Sequence, residues 1–246
     1  MSKMKYDKEI EFKYSELDVY NNLLPQSVFT LFQDIAGEHA SNLGVGYKPM
    51  IDKDMIWVIV RSKYTLYKTP EVEKKYILST WPHPKGSFDF VRDYTISDTN
   101  GEVYVKGTSK WCVTNFKTRK LVRAKEINFN SEEYFEAQNY DEPLQSFDFP
   151  DEIEKDKPVL THKVSFTDLD HNNHMNNTKY ATLIMDALCP NNDVIVNDVQ
   201  INYLKECQLN DYIDVYMMID ENNNYLFRGK NSDHIIFEAV VSVIKH

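Results

Sequence analysis

The feature of this chain that most constrains its fold is an internal repeat. The segment that begins at Ser15 aligns without a gap with the segment that begins at Thr167. Asp18 meets Asp170, and both segments continue with apolar residues at helical spacing. A chain that repeats itself in this way usually stacks copies of one structural unit. The repeat therefore predicts two domains of the same fold.

Each copy is predicted to contain one helix and an antiparallel sheet. A short strand, at residues 11–14 and again at 164–166, leads into a polar turn and then the helix. Pro25 suits the opening turn of the first helix and Gly44 suits its end. Four segments rich in β-branched and aromatic residues follow each helix. This pattern predicts the α+β class, with each sheet wrapped around its central helix.

The domain boundaries follow from composition. Residues 138–158 hold several acids, three prolines and little periodicity, which is typical of a linker. We therefore expect a first domain at 1–137 and a second domain at 159–246. The 42% of hydrophobic residues is close to normal globular usage and allows a core in each.

Charge and cysteine content exclude several classes of function. The formal net charge of −10 argues against a nucleic-acid partner. Cys112, Cys189 and Cys207 form neither a disulfide framework nor a metal-binding pair, and no Gly-rich phosphate loop or HExxH motif is present. The first residues lack the apolar core of a signal peptide, and no apolar run approaches the ~18 residues of a membrane span. We expect a cytoplasmic protein without cofactor, metal or membrane span.

The turn before the second helix carries a candidate site. Asp170, Asn172 and His174 occupy alternate positions, and alternate side chains share one face of an extended segment. Asn176 and Asn177 are candidate helix caps, and helix-terminal N–H groups suit a developing oxyanion. Asn-rich turns more often only cap helices, so the turn alone leaves both interpretations open.

A second cluster, Glu206 and Cys207, follows a predicted strand. A carboxylate beside an imidazole can orient it or activate a water molecule, whereas a solvated strand-end charge is the alternative for Glu206. Cys207 would ordinarily be a small buried hydrophobic residue. The positions of the first copy that align with Asp170, Asn172, His174, Glu206 and Cys207 hold Asp18, Tyr20, Asn22, Pro70 and Glu71. The ionisable set occurs once, which favours chemistry in the second copy.

These segments resemble the acyl-[acyl carrier protein] thioesterases, tandem hotdog enzymes of plastids and bacteria. DLDHNNHMNNTKY, from Asp168, looks like the family's D-x-N-x-H segment, and NYLKEC, from Asn202, looks like its Tyr-x-x-Glu-Cys segment. In the first half LFQDIAGEHASNLG, MIWVIVRSKY, FVRDY and KWCVTNFKTRKLVRAKEI stand in the family's order. The resemblance covers nearly the whole chain and implies two tandem hotdog domains.

The resemblance also implies an activity and a site. The substrate would be a fatty acyl chain on the phosphopantetheine arm of acyl carrier protein, and hydrolysis would end or divert fatty acid synthesis. The implied catalytic set is Asp170, Asn172, His174 and Glu206. Glu206 or His174 would activate water, while Asp170 would position the others or attack directly. We disfavour Cys207 as nucleophile because the adjacent Glu206 should raise its pKa.

By the same resemblance the first domain would bind the acyl chain. The candidate substrate-binding residues, each of which also suits a plain core or capping role, are Phe29, Phe32, Ile35, Ala36, Trp57, Val58, Asn176 and Cys207. The carrier protein is acidic, and the densest basic stretch offers a docking patch or simply a solvated hairpin: Lys117, Arg119, Lys120 and Arg123, with Lys125 close by.

Other functions stay open at this point. The same site would also suit an acyl-CoA thioesterase, and a relic site would leave a non-catalytic fatty-acyl-binding module. A hotdog hydratase or dehydratase is disfavoured because nothing like its helix motif is present. The tandem copies can pair with each other, so either a monomer or a homodimer is expected.

Overall fold

The chain divides into two compact units. In this computed structural model, which describes residues 4–129 and 133–245, Met1–Glu16 and Phe29–Leu144 form the first unit. Leu17–Val28 and Gln145–His246 form the second. No helix in the described ranges has both the length and the apolar composition that crossing a membrane requires.

The strands of the first unit form an antiparallel sheet in the order β1-β3-β4-β5-β2. Strands β3, β4 and β5 are a meander, and β2 joins it by pairing with β5 instead of β3. The elements in chain order are β1 (Tyr6–Glu11), α1 (Pro25–Asn42), α2 (Tyr47–Ile51), β2 (Met55–Leu66), β3 (Lys75–Pro82), β4 (Asp89–Asp98), β5 (Val103–Asn115) and the short β6 (Lys120–Leu121), which pairs with β5.

The second unit repeats this arrangement in the order β7-β9-β10-β11-β8. Its elements are β7 (Leu160–Lys163), α3 (Asn177–Leu188), β8 (Val194–Tyr203), β9 (Tyr212–Ile219), β10 (Tyr225–Asn231) and β11 (His234–Lys245). Each unit has the strand after its long helix paired with the last strand of the meander. The predicted α+β hotdog class is confirmed.

A short strand precedes each polar turn, as predicted, but the predicted bounds 11–14 and 164–166 are wrong. The strands end at Glu11 and Lys163, and 3₁₀ turns follow at Tyr14–Glu16 and Phe166–Asp168. In each turn an acid three residues on accepts the hydrogen bond of a backbone N–H, that of Lys13 at 2.6 Å and that of Ser165 at 2.8 Å. This local capping ends the strand earlier than β-propensity predicts.

The helix α1, from Phe29 on, packs against the first unit's sheet through aromatic rings. Phe32 stacks on Tyr94 with ring centroids 4.3 Å apart, and Phe29 meets Tyr64 edge-on at 5.3 Å. Gly107 lies under Phe32, and a Cβ added there would lie 2.1 Å from the Phe32 ring. The glycine is therefore required by close helix–sheet packing.

In the second unit Tyr180 of α3 has the corresponding role. Its ring centroid lies 5.2 Å from that of Phe237 and 5.7 Å from that of Tyr203, and all of these lie at the helix–sheet interface. Gly229 is the cross-strand partner of Phe237, and a Cβ added to it would lie 2.1 Å from the Phe237 ring. This glycine therefore makes room for a ring within the sheet, whereas Gly107 makes room for a ring of the helix.

The segment predicted to be a linker is pinned to the sheets. Asn139 donates from its side chain to the backbone oxygens of Tyr94 and Gly107, at 2.7 and 2.8 Å, in the first unit. In the second unit Arg228 donates to the carbonyl oxygen of Phe149 at 3.2 Å and to Glu154 at 3.0 Å. The segment is therefore held in place by hydrogen bonds to both sheets. The expected boundaries at 137, 158 and 159 stay predictions.

Candidate active site

The polar turn before α3 is held by the side chain of Asp170. Its Oδ1 accepts the backbone N–H of Asn172 at 2.7 Å and that of His174 at 3.3 Å. Backbone bonds from Asp170 N to His174 O, 2.8 Å, and from Asn173 N to Asp170 O, 3.1 Å, close the loop. Asn173 has a φ of 62°, a conformation that asparagine tolerates well.

This geometry corrects one step of the sequence reasoning. The segment is a tight turn and not an extended strand, so Asp170, Asn172 and His174 do not share a face through strand alternation. The aspartate carboxylate bonds backbone N–H groups two and four residues on, which pulls the chain into a turn. One oxygen of Asp170 therefore points back into its own turn.

The same turn occurs at three other places among the residues that the structure describes. After Asp18, Asp98 and Asp220, Oδ1 of the aspartate again accepts the N–H groups two and four residues on. The acceptor distances are 2.8 or 2.9 Å at all three. Those turns carry other residues two and four positions after the aspartate, so the turn geometry alone explains an aspartate at position 170. What distinguishes the turn before α3 is the pair of residues it presents, Asn172 and His174.

His174 faces a carboxylate. Its Nε2 lies 3.4 Å from Oε2 of Glu206, with side-chain exposures of 19% and 36%. The two segments are tied together because Met175 N donates to the carbonyl oxygen of Cys207 at 2.8 Å. The structure thus brings together His174 and Glu206, which are 32 positions apart, as the sequence predicted. An imidazole oriented by a carboxylate at a half-open position can accept a proton from water.

Asn172 and the start of α3 supply hydrogen-bond donors nearby. The Asn172 side-chain Nδ2 is 3.5 Å from Oδ2 of Asp170, a long contact that orients the amide. Asn176 is the N-cap of α3, and its Oδ1 accepts the Thr178 N–H and hydroxyl, both at 3.0 Å. The capping role predicted for Asn176 is confirmed. Its amide oxygen is used by the cap, so its predicted substrate-binding role would fall to the rest of the side chain.

Cys207 is completely buried. Burial raises the pKa of its thiol to about 11, with a further increase from Asp211, while a hydrogen bond with Tyr180 and the charge of Lys205 oppose the change. A thiol with this pKa is not a thiolate at neutral pH and is a poor nucleophile. The sequence reasoning reached the same conclusion through Glu206, whereas the structure assigns the effect first to burial.

The first copy has the same turn with different residues at the candidate positions. Asp18 holds the loop, Tyr20 is half exposed, and Asn22 occupies the position of His174 and is buried. The equivalent of the Glu206 region carries Glu71, which pairs with Lys74 at 2.5 Å. The asymmetry that the sequence indicated is therefore present in the geometry.

The candidate acyl-binding residues lie mostly on one face of the first unit. Phe29, Phe32, Ile35 and Ala36 are buried on α1, and Trp57 meets Phe90 edge-on at 4.8 Å. Phe90 lies on the same sheet face as Tyr94, because both are on β4 an even number of residues apart. Val58 is the next residue after Trp57 in β2 and so projects from the opposite face. The structure does not bring Val58 together with the others.

Sequence reasoning missed a buried polar pair on this same face. Arg92 donates to Nδ1 of His39 at 2.9 Å and to the Thr80 hydroxyl at 3.2 Å. Burial, followed by the charge of Arg92, lowers the pKa of His39 to about 4. The helical spacing of His39 was visible in the sequence, but its partner on β4 depends on sheet register, which the sequence does not show.

The candidate docking residues lie on an exposed hairpin around β6. Lys117 is engaged by Asp54 at 2.8 Å, and the Arg123 guanidinium lies 5.5 Å from the Phe88 ring centroid. Arg119 and Lys120 are exposed at the turn. Within residues 4–129 and 133–245 no cluster of His, Cys, Asp and Glu has a metal-binding arrangement.

Comparison with known proteins gives a consistent result. Residues 3–129 match a model described as the acyl-ACP thioesterase N-terminal domain, and residues 152–237 match the acyl-ACP thioesterase C-terminal domain. Oleoyl-acyl carrier protein thioesterase 2 of Arabidopsis thaliana, a chloroplastic protein, is 25% identical over 85% of this chain and 61% of its own length. A chloroplastic palmitoyl-acyl carrier protein thioesterase of Cuphea hookeriana is 30% identical over 67% of this chain and 42% of its own length. The chain thus spans less than two thirds of these relatives.

Solved structures show the same fold. An acyl-ACP thioesterase from Bacteroides thetaiotaomicron superposes with a TM-score of 0.88 at 19% identity, covering 98% of both chains. A 12:0-ACP thioesterase from Umbellularia californica superposes with a TM-score of 0.84 at 16% identity, covering 100% of this chain and 99% of that one.

Proposed function

We propose, since the chain belongs to the acyl-ACP thioesterase family, that it hydrolyses fatty acyl thioesters carried by acyl carrier protein to free fatty acid and carrier thiol. The observation that carries this proposal is the contact of His174 with Glu206 beside the turn of Asn172. An imidazole, a carboxylate and an amide at one turn are suited to water activation and oxyanion binding.

The proposed mechanism is general-base hydrolysis. His174, oriented by Glu206, takes a proton from water as the water oxygen bonds to the thioester carbon. The carbonyl oxygen becomes an oxyanion, held by the Asn172 amide and by the partial positive charge at the N-terminus of α3. The C–S bond then breaks, and the departing sulfur takes the proton from His174. Asp170 acts by holding the turn, since its Oδ1 already accepts two backbone bonds.

The first unit is proposed to bind the acyl chain. An acyl chain needs an apolar slot, and the sheet-facing side of α1 supplies Phe29, Phe32, Ile35 and Ala36. The buried Arg92 and His39 interrupt this face with a polar pair. We infer that the hydrocarbon of the acyl chain lies on the Phe32 side of the Arg92–His39 pair.

The test of the function compares donors and variants. Purified protein should release fatty acid from palmitoyl carrier protein faster than from palmitoyl-CoA, and His174→Gln and Glu206→Gln should each lower kcat by about 10²–10⁴-fold. Faster release from CoA would support an acyl-CoA thioesterase instead. Release that is unchanged in His174→Gln would leave only a binding module. A loss in Cys207→Ala as large as that in His174→Gln would assign the attack to the thiol.

Carrier docking is proposed at the hairpin of Arg119, Lys120 and Arg123, because an acidic carrier needs a local basic surface on an acidic enzyme. Lys117, which is paired with Asp54, should contribute less. The double charge reversal Arg119→Glu and Arg123→Glu should raise KM for the carrier-bound substrate and leave a short acyl thioester unaffected. Lys74→Glu, an exposed charge reversal elsewhere in the first unit, is the control. An equal change on both substrates would contradict docking.

A cytoplasmic location, and a monomeric or homodimeric state, stay predictions. Size-exclusion chromatography with light scattering will measure the state directly.

A further inference from the structure

Asp168, two residues before the turn aspartate, is a buried carboxylate at the centre of a polar network. Its Oδ2 accepts three hydrogen bonds: from Ser165 N at 2.8 Å, from the Ser165 hydroxyl at 2.8 Å and from His162 Nε2 at 2.9 Å. Asp168 is 8% exposed. Residues of β7 and of the following 3₁₀ turn thus converge on one carboxylate.

The backbone of Asp168 closes the base of the turn that carries His174. Its carbonyl oxygen accepts the N–H of Asn176 at 2.8 Å, and Leu169 and Met175 form an antiparallel bridge directly above. His174 lies within this closed loop, so the hydrogen bonds of Asp168 at the start of the loop help to fix its position. We therefore expect a displacement of Asp168 to move the imidazole of His174 through these bonds.

The carboxylate of Asp168 is held in its charged form. Burial opposes ionisation, but the Ser165 backbone N–H, His162 and the Ser165 hydroxyl more than offset it, so the pKa of Asp168 lies below its ordinary value. Hydrogen bonds to an ionised acceptor are stronger than those between neutral groups. Lys179 on α3 adds a weaker contact, 3.9 Å from Oδ1.

The first copy contains a natural comparison. Glu16 stands at the position of Asp168 and caps its 3₁₀ turn in the same way, accepting the Lys13 N–H at 2.6 Å. Ile10 stands at the position of His162, and Asn22 at the position of His174. The copy without the catalytic histidine therefore keeps the cap but has no imidazole to support it.

We propose that Asp168, supported by His162, is a positioning residue for thioester hydrolysis that sets the placement of His174 against Glu206. This inference rests on the proposed function. Asp168 itself does not touch the reacting atoms; it fixes the base of the turn. Since displacements of about 1 Å can cost about 10²-fold in rate, loosening the base should lower kcat by about 10- to 100-fold and leave KM within about twofold.

The experiment uses the full chain and four variants. Asp168→Asn removes the charge, His162→Ile makes the second copy resemble the first, and His162→Gln keeps a donor of similar reach. Glu16→Gln is the matched control, because it weakens the equivalent cap where there is no chemistry. For each we would measure kcat and KM on an acyl carrier protein thioester, the urea midpoint, and hydrogen–deuterium exchange of the two turns.

The expected result is a fall in kcat in Asp168→Asn and His162→Ile, recovery in His162→Gln, and unchanged kcat in Glu16→Gln despite a similar fall in urea midpoint. Exchange should rise at residues 172–176 in the first two variants. Unchanged kcat per folded molecule in both Asp168→Asn and His162→Ile would overturn the proposal. A wild-type protein that hydrolyses no acyl thioester would overturn the proposed function, while faster exchange at 172–176 would still support the structural part of the inference.

Discussion

Replacing Asp170 by Asn separates a turn-holding role from direct participation in catalysis. Asparagine has the same shape and keeps an oxygen where Oδ1 accepts the Asn172 and His174 N–H groups at 2.7 and 3.3 Å. It lacks the negative charge and cannot act as nucleophile or base. The size of the rate loss therefore reports which role the carboxylate has.

The magnitude follows from the two bonds. A hydrogen bond to a charged group contributes about 1.5–3 kcal/mol and a neutral one about 0.5–1.5 kcal/mol. Losing the charge on an acceptor of two bonds thus costs about 2–3 kcal/mol, and solvent screening at a half-exposed turn reduces this to about 1–2 kcal/mol. If this loss appears in the transition state, kcat falls by about 5- to 30-fold, at 1.36 kcal/mol per factor of ten.

Matched controls are present in the same chain. Asp18→Asn and Asp220→Asn remove the charge from turns of the same geometry, each with two bonds of 2.8 Å. All three variants should lose a similar amount of unfolding free energy in urea titrations, and only Asp170→Asn should change kcat on palmitoyl carrier protein.

A much larger effect would refute the turn-holding role. Removal of a general base costs about 10²–10⁴-fold and removal of a nucleophile up to about 10⁶-fold. If Asp170→Asn loses more than about 10³-fold in kcat while its free energy of unfolding falls no more than that of the controls, the carboxylate takes part directly in the reaction. Single-turnover hydrolysis in oxygen-18 water is the second arm, since label in an Asp170 peptide would demonstrate direct attack.

Two further predictions concern the first unit. The pKa of His39 is lowered from 6.5 to about 4 by burial and by Arg92, so the unfolded chain binds a proton that the folded chain does not. The free energy of unfolding should therefore be highest above pH 6.5 and should fall by about 2 kcal/mol, after screening, as the pH drops to 4. In urea titrations, the unfolding free energy of His39→Gln should depend less on pH than that of the wild type. An equal pH dependence in the two proteins would contradict this. Gly107→Ala should lower the free energy of unfolding by about 1–3 kcal/mol, because its Cβ would overlap the Phe32 ring. Gly37→Ala, with nothing within 4 Å of its Cβ, should raise the free energy of unfolding by about 0.5–1 kcal/mol. Thermal unfolding of both variants by calorimetry measures the two changes.

The repeat predicted the fold well because both of its signals are local. Apolar spacing and the Pro25 and Gly44 boundaries located α1 closely, and β-branched runs located the long strands. The order of strands was less accessible, because β2 pairs with β5 across an intervening meander. Strand pairing of this kind depends on the whole sheet and leaves no mark at either residue.

The contact between His174 and Glu206 was predicted from the sequence, but the conformation of the turn was not. His174 and Glu206 were identified as partners, and they lie 3.4 Å apart. Strand alternation does not place Asp170, Asn172 and His174, because the Asp170 side chain takes backbone N–H groups that a strand would use. Asp168 was missed because its partner His162 lies upstream of the repeat segment, so its contribution required the folded turn.

The four aspartate turns show how one scaffold is used with and without chemistry. In each, the aspartate is occupied by the backbone, and the residues two and four positions on are set by the turn at fixed places. Those positions hold Asn172 and His174 at one site, and Tyr20 and Asn22, Asn100 and Glu102, or Asn222 and Asn224 at the others. The turn therefore does not specify function. We expect function where an ionisable residue four positions after the aspartate meets a carboxylate from another segment, as His174 meets Glu206. The two repeats differ at both of those places.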